Sequence, residues 1–197
     1  MSRETTPKIV IVAGPNGAGK STSAPMLLKG PFAVDDFINA DVIARGISAF
    51  SPEKAAIPAG RVMLKRLRDL VELGTSFAFE TTLASRSFTR WLTKASHSGY
   101  QIGLLFLYLP SVELAVARVK ERVMLGGHNV PEQDIRRRYE KGLSNFFQIY
   151  RPLCNYWRFY DNSNEYDPRL LASGENSHES PIDETNWTKI KEGQGIQ

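Results

Sequence analysis

The chain has 197 residues and a net charge of +4 from 25 basic and 21 acidic side chains, with an ordinary globular balance of 42% hydrophobic to 23% charged residues. Its longest apolar stretch, Ile102 to Leu109, is far short of the ~20 residues a membrane span needs, and no signal-peptide core precedes Ile9, so a cytoplasmic protein without membrane association is expected. One cysteine, Cys154, excludes an internal disulfide framework and a cysteine-built zinc site, and the scattered His97, His128 and His178 offer no ligand spacing.

Hydrophobic runs alternate with helix-like stretches along the chain, the pattern of a parallel α/β sheet. Lys8 to Ala13 (KIVIVA) reads as a strand and Lys20 to Lys29 as a helix stopped near Gly30 and Pro31. Phe37 to Ala40 is a second strand with Asp41 at its carboxyl end. Ser51 and Pro52 open a helical region whose amphipathic part, Ala59 to Leu73, is closed by Gly74. Ser76 to Phe79 is a third strand leading to Glu80, Arg86 to Ser98 a helix, and Gln101 to Leu109 a buried central strand. Ser111 caps a helix from Val112 to about Leu125, and Pro131 starts an arginine-rich helix through about Phe147. Tyr156 to Asp161 is a fifth strand. Residues 1–162 read as one α/β domain, and residues 163–197 as its polar C-terminal appendix. That appendix is expected to be loosely held, aperiodic from Ser173 to Ser180, with room for a short helix from Asp183 to Ile190.

Charge is unevenly placed. Residues 118–158 carry 9 positive and 4 negative side chains, net +5, whereas residues 161–197 carry 3 and 8, net −5. A basic centre of this kind suits nucleic acid, nucleotide phosphates or an acidic partner, although any single arginine there fits a solvated helix face as well.

GPNGAGKST, from Gly14 to Thr22, is the strongest motif. Gly14, Gly19, Lys20 and Ser21 satisfy GxxxxGK[ST] between an apolar strand and a helix, the context a phosphate loop requires. Its glycines let backbone N–H groups turn onto phosphate oxygens, and the positive end of the next helix faces the same charge. The nucleotide contacts fall on Gly14, Pro15, Asn16, Gly17, Ala18, Gly19, Lys20, Ser21 and Thr22. ATP and Mg²⁺ are the implied cofactors, with Lys20 reaching the β/γ-phosphates and the Ser21 hydroxyl on the metal. The fold class that follows is α/β, a P-loop NTPase-type three-layer sandwich with a central parallel sheet.

Asp41 stands where ligands gather in such sheets, outside a strand's carboxyl end, and can take a proton from a substrate hydroxyl; alternatively it caps the helix that follows. Glu80, with Thr81 and Thr82, repeats that placement on the next strand, as a metal holder, a hydroxyl acceptor or a surface cap. The central strand ends in Leu-Pro without the acidic residue of a motor ATPase, which favours a small-molecule kinase. Arg118 and Arg122 share one helix face, and Arg136, Arg137 and Arg138 follow across a glycine hinge, so residues 118–140 read as an arginine-rich helical lid. Arg122 and Arg136 are expected to act on the transferring phosphoryl group and Arg118 on the nucleotide, with Arg137 and Arg138 open.

GPNGAGKST, FINADVIA, FAFETTLASRSF, GGHNVPEQDIRRRY and WRFYDNS together resemble the zeta-toxin-like P-loop kinases of bacteria, over about Lys8 to Asn162. The resemblance implies ATP- and Mg²⁺-dependent transfer to the 3′-hydroxyl of the sugar in UDP-N-acetylglucosamine or a related nucleotide-sugar. It further implies Asp41 as the base, Glu80 and Thr82 as sugar contacts, and a possible role as the toxin partner of a protein antitoxin. Two features depart from the family pattern: Ala84 stands where an arginine closely follows the Glu-Ser-Thr-Leu segment, and Gly126-Gly127-His128 replaces a second phosphate-directed arginine. The transition-state arginine is accordingly expected at Arg136. A polynucleotide 5′-kinase and a non-catalytic nucleotide switch are the competing readings; the first needs a basic groove with stacking aromatics, and the second has no use for Asp41 and Glu80 at successive strand ends.

Overall fold

A computed structural model describes residues 6–164, 167–176 and 178–196. Seven strands form one sheet: β1 (Lys8–Ala13), β2 (Asp36–Ile38), β3 (Phe77–Thr81), β4 (Gln101–Tyr108), β5 (Tyr156–Asp161), β6 (Arg169–Glu175) and β7 (His178–Pro181). Their spatial order is β2-β3-β1-β4-β5-β6-β7. The first five run parallel, and β6 and β7 are antiparallel additions at one edge. Parallel strands need helical crossovers, and helices supply them: α1 (Lys20–Leu27), α2 (Ala40–Ile47), α3 (Ala56–Glu72), α4 (Thr89–His97), α5 (Val112–Met124) and α6 (Glu132–Asn145), with α7 (Glu184–Gly193) after β7.

Alternation along the strands divides the core into two layers. Ile9, Ile11, Phe77, Phe79, Leu104 and Phe106 pack with α3 and α4 on one face. Val10, Val12, Ala78, Leu105 and Leu107 pack with α1 and α5 on the other. This is the expected three-layer α/β sandwich. Helix α6 belongs to both layers, since Ile135 near its start lies in one cluster and Leu143 near its end in the other. Tyr139, midway along α6, donates to the carbonyl of Leu109 just beyond β4, at 2.7 Å. The helix therefore crosses the carboxyl edge of the sheet, and its middle turn is pinned there.

Most expected elements occur with shifted ends. Strand β3 runs on through Glu80 and Thr81, β2 stops before Asn39, and the arginine-rich helix continues past Asn145 as a π-helical turn, Phe146–Tyr150. The tail differs from expectation. Residues read as aperiodic pair into the sheet as β6 and β7, and the helix expected at Asp183–Ile190 is α7. Trp187 on α7 is 1% exposed and stacks on Trp157 of β5 at 5.5 Å, which anchors the tail. Glu179 joins it by accepting from Trp187 Nε1, Lys191 and Arg151. The polar composition concealed this because few residues carry the burial: Leu171 and Ala172 of β6 and Trp187, the last with about 200 Å² to contribute. Among the described residues no helix is long and apolar enough to cross a membrane.

Candidate active site

The loop between β1 and α1 owes its shape to its glycines. Gly14 has φ +142°, and a Cβ there would lie 2.3 Å from the carbonyl oxygen of Leu107 on β4. At Gly17, φ +78°, a Cβ would lie 2.7 Å from the carbonyl oxygen of Ala115 on α5. The loop is thus seated directly on the sheet edge and α5, closer than any side chain permits. Asn162, fully buried at the end of β5, donates its amide to Ala18 O at 2.7 Å and holds the loop from the other side. Lys20, 6% exposed, reaches back across the loop to the carbonyl of Pro15 at 2.9 Å. Burial pushes its ammonium below the ordinary lysine range, against the opposing pull of Glu80 and then Asp41.

Opposite the loop, Glu80 is the centre of a compact polar cluster. Its Oε2 accepts from Ser21 Oγ at 2.6 Å and from Asn39 Nδ2 at 2.7 Å, and its Oε1 lies 3.6 Å from Lys20 Nζ. The carboxylate expected to touch the acceptor therefore rests on the hydroxyl expected to hold Mg²⁺. Two adjacent hard oxygen donors beside a phosphate loop suit that ion, which keeps several waters and takes one or two protein oxygens.

Asn39 went unremarked in the sequence. Its side-chain oxygen accepts from the backbone N–H groups of Asp41 and Val42, at 2.7 and 3.3 Å, and so caps α2. Its amide meanwhile donates to Glu80. An asparagine between a strand and a helix is itself a cap signal, and it relieves Asp41 of that duty. Asp41 stands exposed in the first turn of α2, with its carboxylate near Lys20.

Two cavities meet at this point. One, about 390 Å³, is bounded by the phosphate loop, Ser21, Thr22, Arg118, Arg122 and Leu125. The other, about 530 Å³, is bounded by Thr81 at the end of β3 and Thr82 and Phe88 beyond it, by Arg61 and Met63 of α3, and by Arg138. Asn16, Lys20, Asp41 and Glu80 border both.

The wall of the larger cavity is fixed from behind by α6. Leu83, fully buried, adopts a left-handed φ of 55° that a γ-branched residue rarely holds. Its N–H is bound by Thr81 Oγ1 at 3.1 Å and its carbonyl by Asn145 Nδ2 at 2.7 Å. Gly142 lies so close that a Cβ would stand 2.3 Å from the carbonyl oxygen of Thr82.

The arginines divide. Arg122 lies in the phosphate-side cavity, held by the carbonyl of His128 at 2.7 Å, with its buried Nε unpartnered. Gly127 makes room for it, since a Cβ there would lie 2.5 Å from Arg122 Cγ. Arg118 borders the same cavity but spends its donors on the carbonyls of Asn162 and Ser163, at 2.8 and 2.6 Å. Arg136 borders neither cavity. It pairs with Glu132 at 2.9 Å and Glu113 at 3.1 Å, away from the cavities where the expectation had it act on the phosphoryl group. The reason is helical phase: two residues farther along, Arg138 faces inward, with Nη1 3.5 Å from Asn16 Oδ1. Arg137 pairs with Asp134 at 2.7 Å. Nothing in the run of three consecutive arginines distinguishes the inward one; the signal was Tyr139, whose pinning sets the rotation.

A sequence model described as Zeta toxin matches residues 51–163, a stretch that begins after the phosphate loop. An uncharacterized protein of Haemophilus influenzae is 32% identical over 132 residues, 67% of this chain and 92% of that one. Among solved structures, one chain of the AvrRxo1-ORF1:AvrRxo1-ORF2 complex with sulphate ions superposes with a TM-score of 0.74 at 15% identity, over 96% of this chain and 65% of that chain. The same complex with ATP gives 0.71 at 15% identity, over 96% and 64%. The chain thus spans just under two thirds of the length of those matched chains. A structure from the PezAT chromosomal toxin-antitoxin system of Streptococcus pneumoniae gives 0.64 at 13% identity, over 98% of this chain and 87% of that one. At these identities the structures speak for the fold.

Proposed function

The chain belongs to the zeta toxin family, and from that premise, with a P-loop kinase as its class, we propose that it transfers the γ-phosphate of ATP to a hydroxyl of a small acceptor held in the larger cavity. The observation that carries this reading is the shared border. Lys20, Asp41 and Glu80 line both cavities, so a nucleotide on one side and an acceptor on the other would meet over a lysine and two carboxylates. Such placement converts a bimolecular reaction into one between held partners.

In the transfer, the acceptor oxygen forms a bond to the γ-phosphorus while the bond to the β–γ bridging oxygen breaks and ADP leaves. Asp41 receives the hydroxyl proton. Lys20 neutralises the β/γ-phosphates, and its depressed affinity for a proton is restored once phosphate arrives beside it. Arg122 supplies guanidinium donors to the phosphoryl oxygens from the phosphate-side cavity, and Arg138 from the acceptor side. Ser21 and Glu80 would hold Mg²⁺, which when bound offsets charge on the β- and γ-oxygens. This moves Glu80 from the acceptor to the metal, and leaves Thr81 and Thr82 as acceptor contacts.

The acceptor we infer is the amino sugar of UDP-N-acetylglucosamine or a related nucleotide-sugar. Arg61 and Arg138 on the cavity border suit an anionic acceptor. A toxin role with a protein antitoxin accords with family membership. Residues 1–162 carry this chemistry, and the tail buttresses the sheet beyond β5.

Asp41→Asn is the test, since it keeps shape and removes the charge. Transfer to UDP-N-acetylglucosamine, followed as ADP formed, should fall by ~10²–10⁴ while ATP binding stays intact. Full activity in the variant would overturn the assignment. Turnover on a 5′-hydroxyl oligonucleotide with none on nucleotide-sugars would replace the acceptor.

A further inference from the structure

A second concave surface lies outside the site just described. It is a groove of about 590 Å³ between α4 and the π-helical turn after α6. One wall is basic: Arg90 and Lys94 stand four residues apart on α4, and Arg86 lies four residues earlier in the turn leading into the helix. The carbonyl of Arg86 accepts from Thr89 Oγ1 at 2.8 Å, which joins that turn to the helix. The opposite wall carries Ile149 and Leu153 and no charge. Among the described residues none of the three cations is in an ion pair, and no carboxylate lines the groove; Glu140 borders the adjoining hollow with Arg86 and Lys141.

Exposed cations without an ion pair occur elsewhere, Arg61, Lys65 and Arg68 on α3 among them, but here three of them border one groove that has an apolar wall. On α6 every outward arginine finds a carboxylate, Arg136 with Glu132 and Glu113, and Arg137 with Asp134. Two of the three tail cations do the same, Lys191 with Glu179 and Arg169 with Asp183. Three exposed cations left together beside an apolar strip form a surface complementary to something acidic and apolar at once.

We infer that this groove docks an acidic amphipathic helix of a partner protein. The spacing supports a helix: Arg90 and Lys94 lie four apart on α4, roughly 6 Å along its axis, so carboxylates at i and i+4 of a helix laid alongside meet them, and a third one turn farther is directed toward Arg86 in the preceding turn. The apolar strip receives the neighbouring face of the same helix, as in other helix-in-groove complexes. A single-stranded nucleic acid fits less well. Such ligands use aromatic platforms for their bases, and no aromatic ring lines this groove.

The experiment uses the full chain and a fluorescent synthetic helix of about four turns. The probe carries glutamates at i, i+4 and i+8 and leucines on the adjoining face; its counterpart has glutamine at the same three places. Anisotropy should show saturable binding of the glutamate probe. Binding should weaken by roughly tenfold or more in R90E/K94E, and by a similar factor for the glutamine probe, with the loss shrinking at high salt. These side chains are exposed, so circular dichroism should report an unchanged fold. Leu153→Ala serves as the independent check on the apolar strip and should weaken binding without altering salt dependence. Three results would overturn the inference: no saturable binding, probe affinity within about twofold in R90E/K94E, or displacement of the probe by oligothymidylate of equal charge.

Discussion

The two flanks of the active site are built by opposite means. On the β3 flank, Glu80, Ser21, Asn39 and Lys20 are bonded to one another within 3.6 Å, and the phosphate loop is jammed on the sheet by glycines that cannot be enlarged. On the α5–α6 flank two arginines hang from single contacts, Arg122 from the carbonyl of His128 and Arg138 from Asn16 at 3.5 Å. The first flank is set before any ligand arrives. The second has donors left over. A phosphate-transfer site needs both, a rigid seat for the nucleotide and uncommitted charge for oxygens whose negative charge grows only during transfer.

The contrast can be broken at its rigid side first. Lys20→Ala should abolish measurable transfer, a loss of ~10³ or more, because among the described residues no other buried cation borders the phosphate-side cavity. Circular dichroism should stay unchanged, since Lys20 bonds only to its own loop and to Glu80. Turnover near the wild-type rate in a folded Lys20→Ala protein would erase the distinction between the flanks.

The flexible side should respond in a different way. Arg122→Ala should lower kcat by ~10²–10³ with little change in the KM for ATP, the pattern of a donor engaged mainly in the transition state. Arg138→Ala should lower kcat and also raise the KM for the acceptor, because it borders that cavity. Matched losses in kcat and both KM values would make the two arginines one diffuse field. The smallest effect belongs to Arg136→Ala. Its guanidinium is exposed and already paired with Glu132 and Glu113, so steady-state constants should stay within about twofold. A hundredfold loss there would restore Arg136 to the phosphoryl group and require α6 to rotate during turnover.

Legibility in the sequence followed the same division. The phosphate loop could be read from spacing because glycine and lysine are dictated there by local geometry. The sheet could be read from alternating apolar runs, and the order of its five parallel strands was compatible with those runs without being determined by them. Asp41 and Glu80 were visible as acids after strands, yet their division of labour was not. It depends on Asn39, which caps α2 with one end of its side chain and holds Glu80 with the other. The inward arginine was hidden because three consecutive cations look alike until Tyr139 fixes the helix's rotation. The tail was misjudged for a related reason. Strand β7 is short and polar, β6 carries only Leu170, Leu171 and Ala172 as an apolar group too brief to announce a strand, and their order comes from pairing with β5 and from the buried Trp187.

The contact between Gly142 and the carbonyl of Thr82 bears on how such an enzyme could change its diet. The wall of the larger cavity at Thr81 and Thr82, where the acceptor is proposed to sit, is clamped from behind by a helix that follows it far along the chain. Any side chain introduced at position 142 would drive that carbonyl, and the threonine beside it, toward the acceptor. A mutational library confined to cavity-facing positions would therefore vary the lining of a room whose walls stay put. Varying Gly142 and Asn145 together with Thr82 would move the wall itself, and new acceptors should be sought among those combinations.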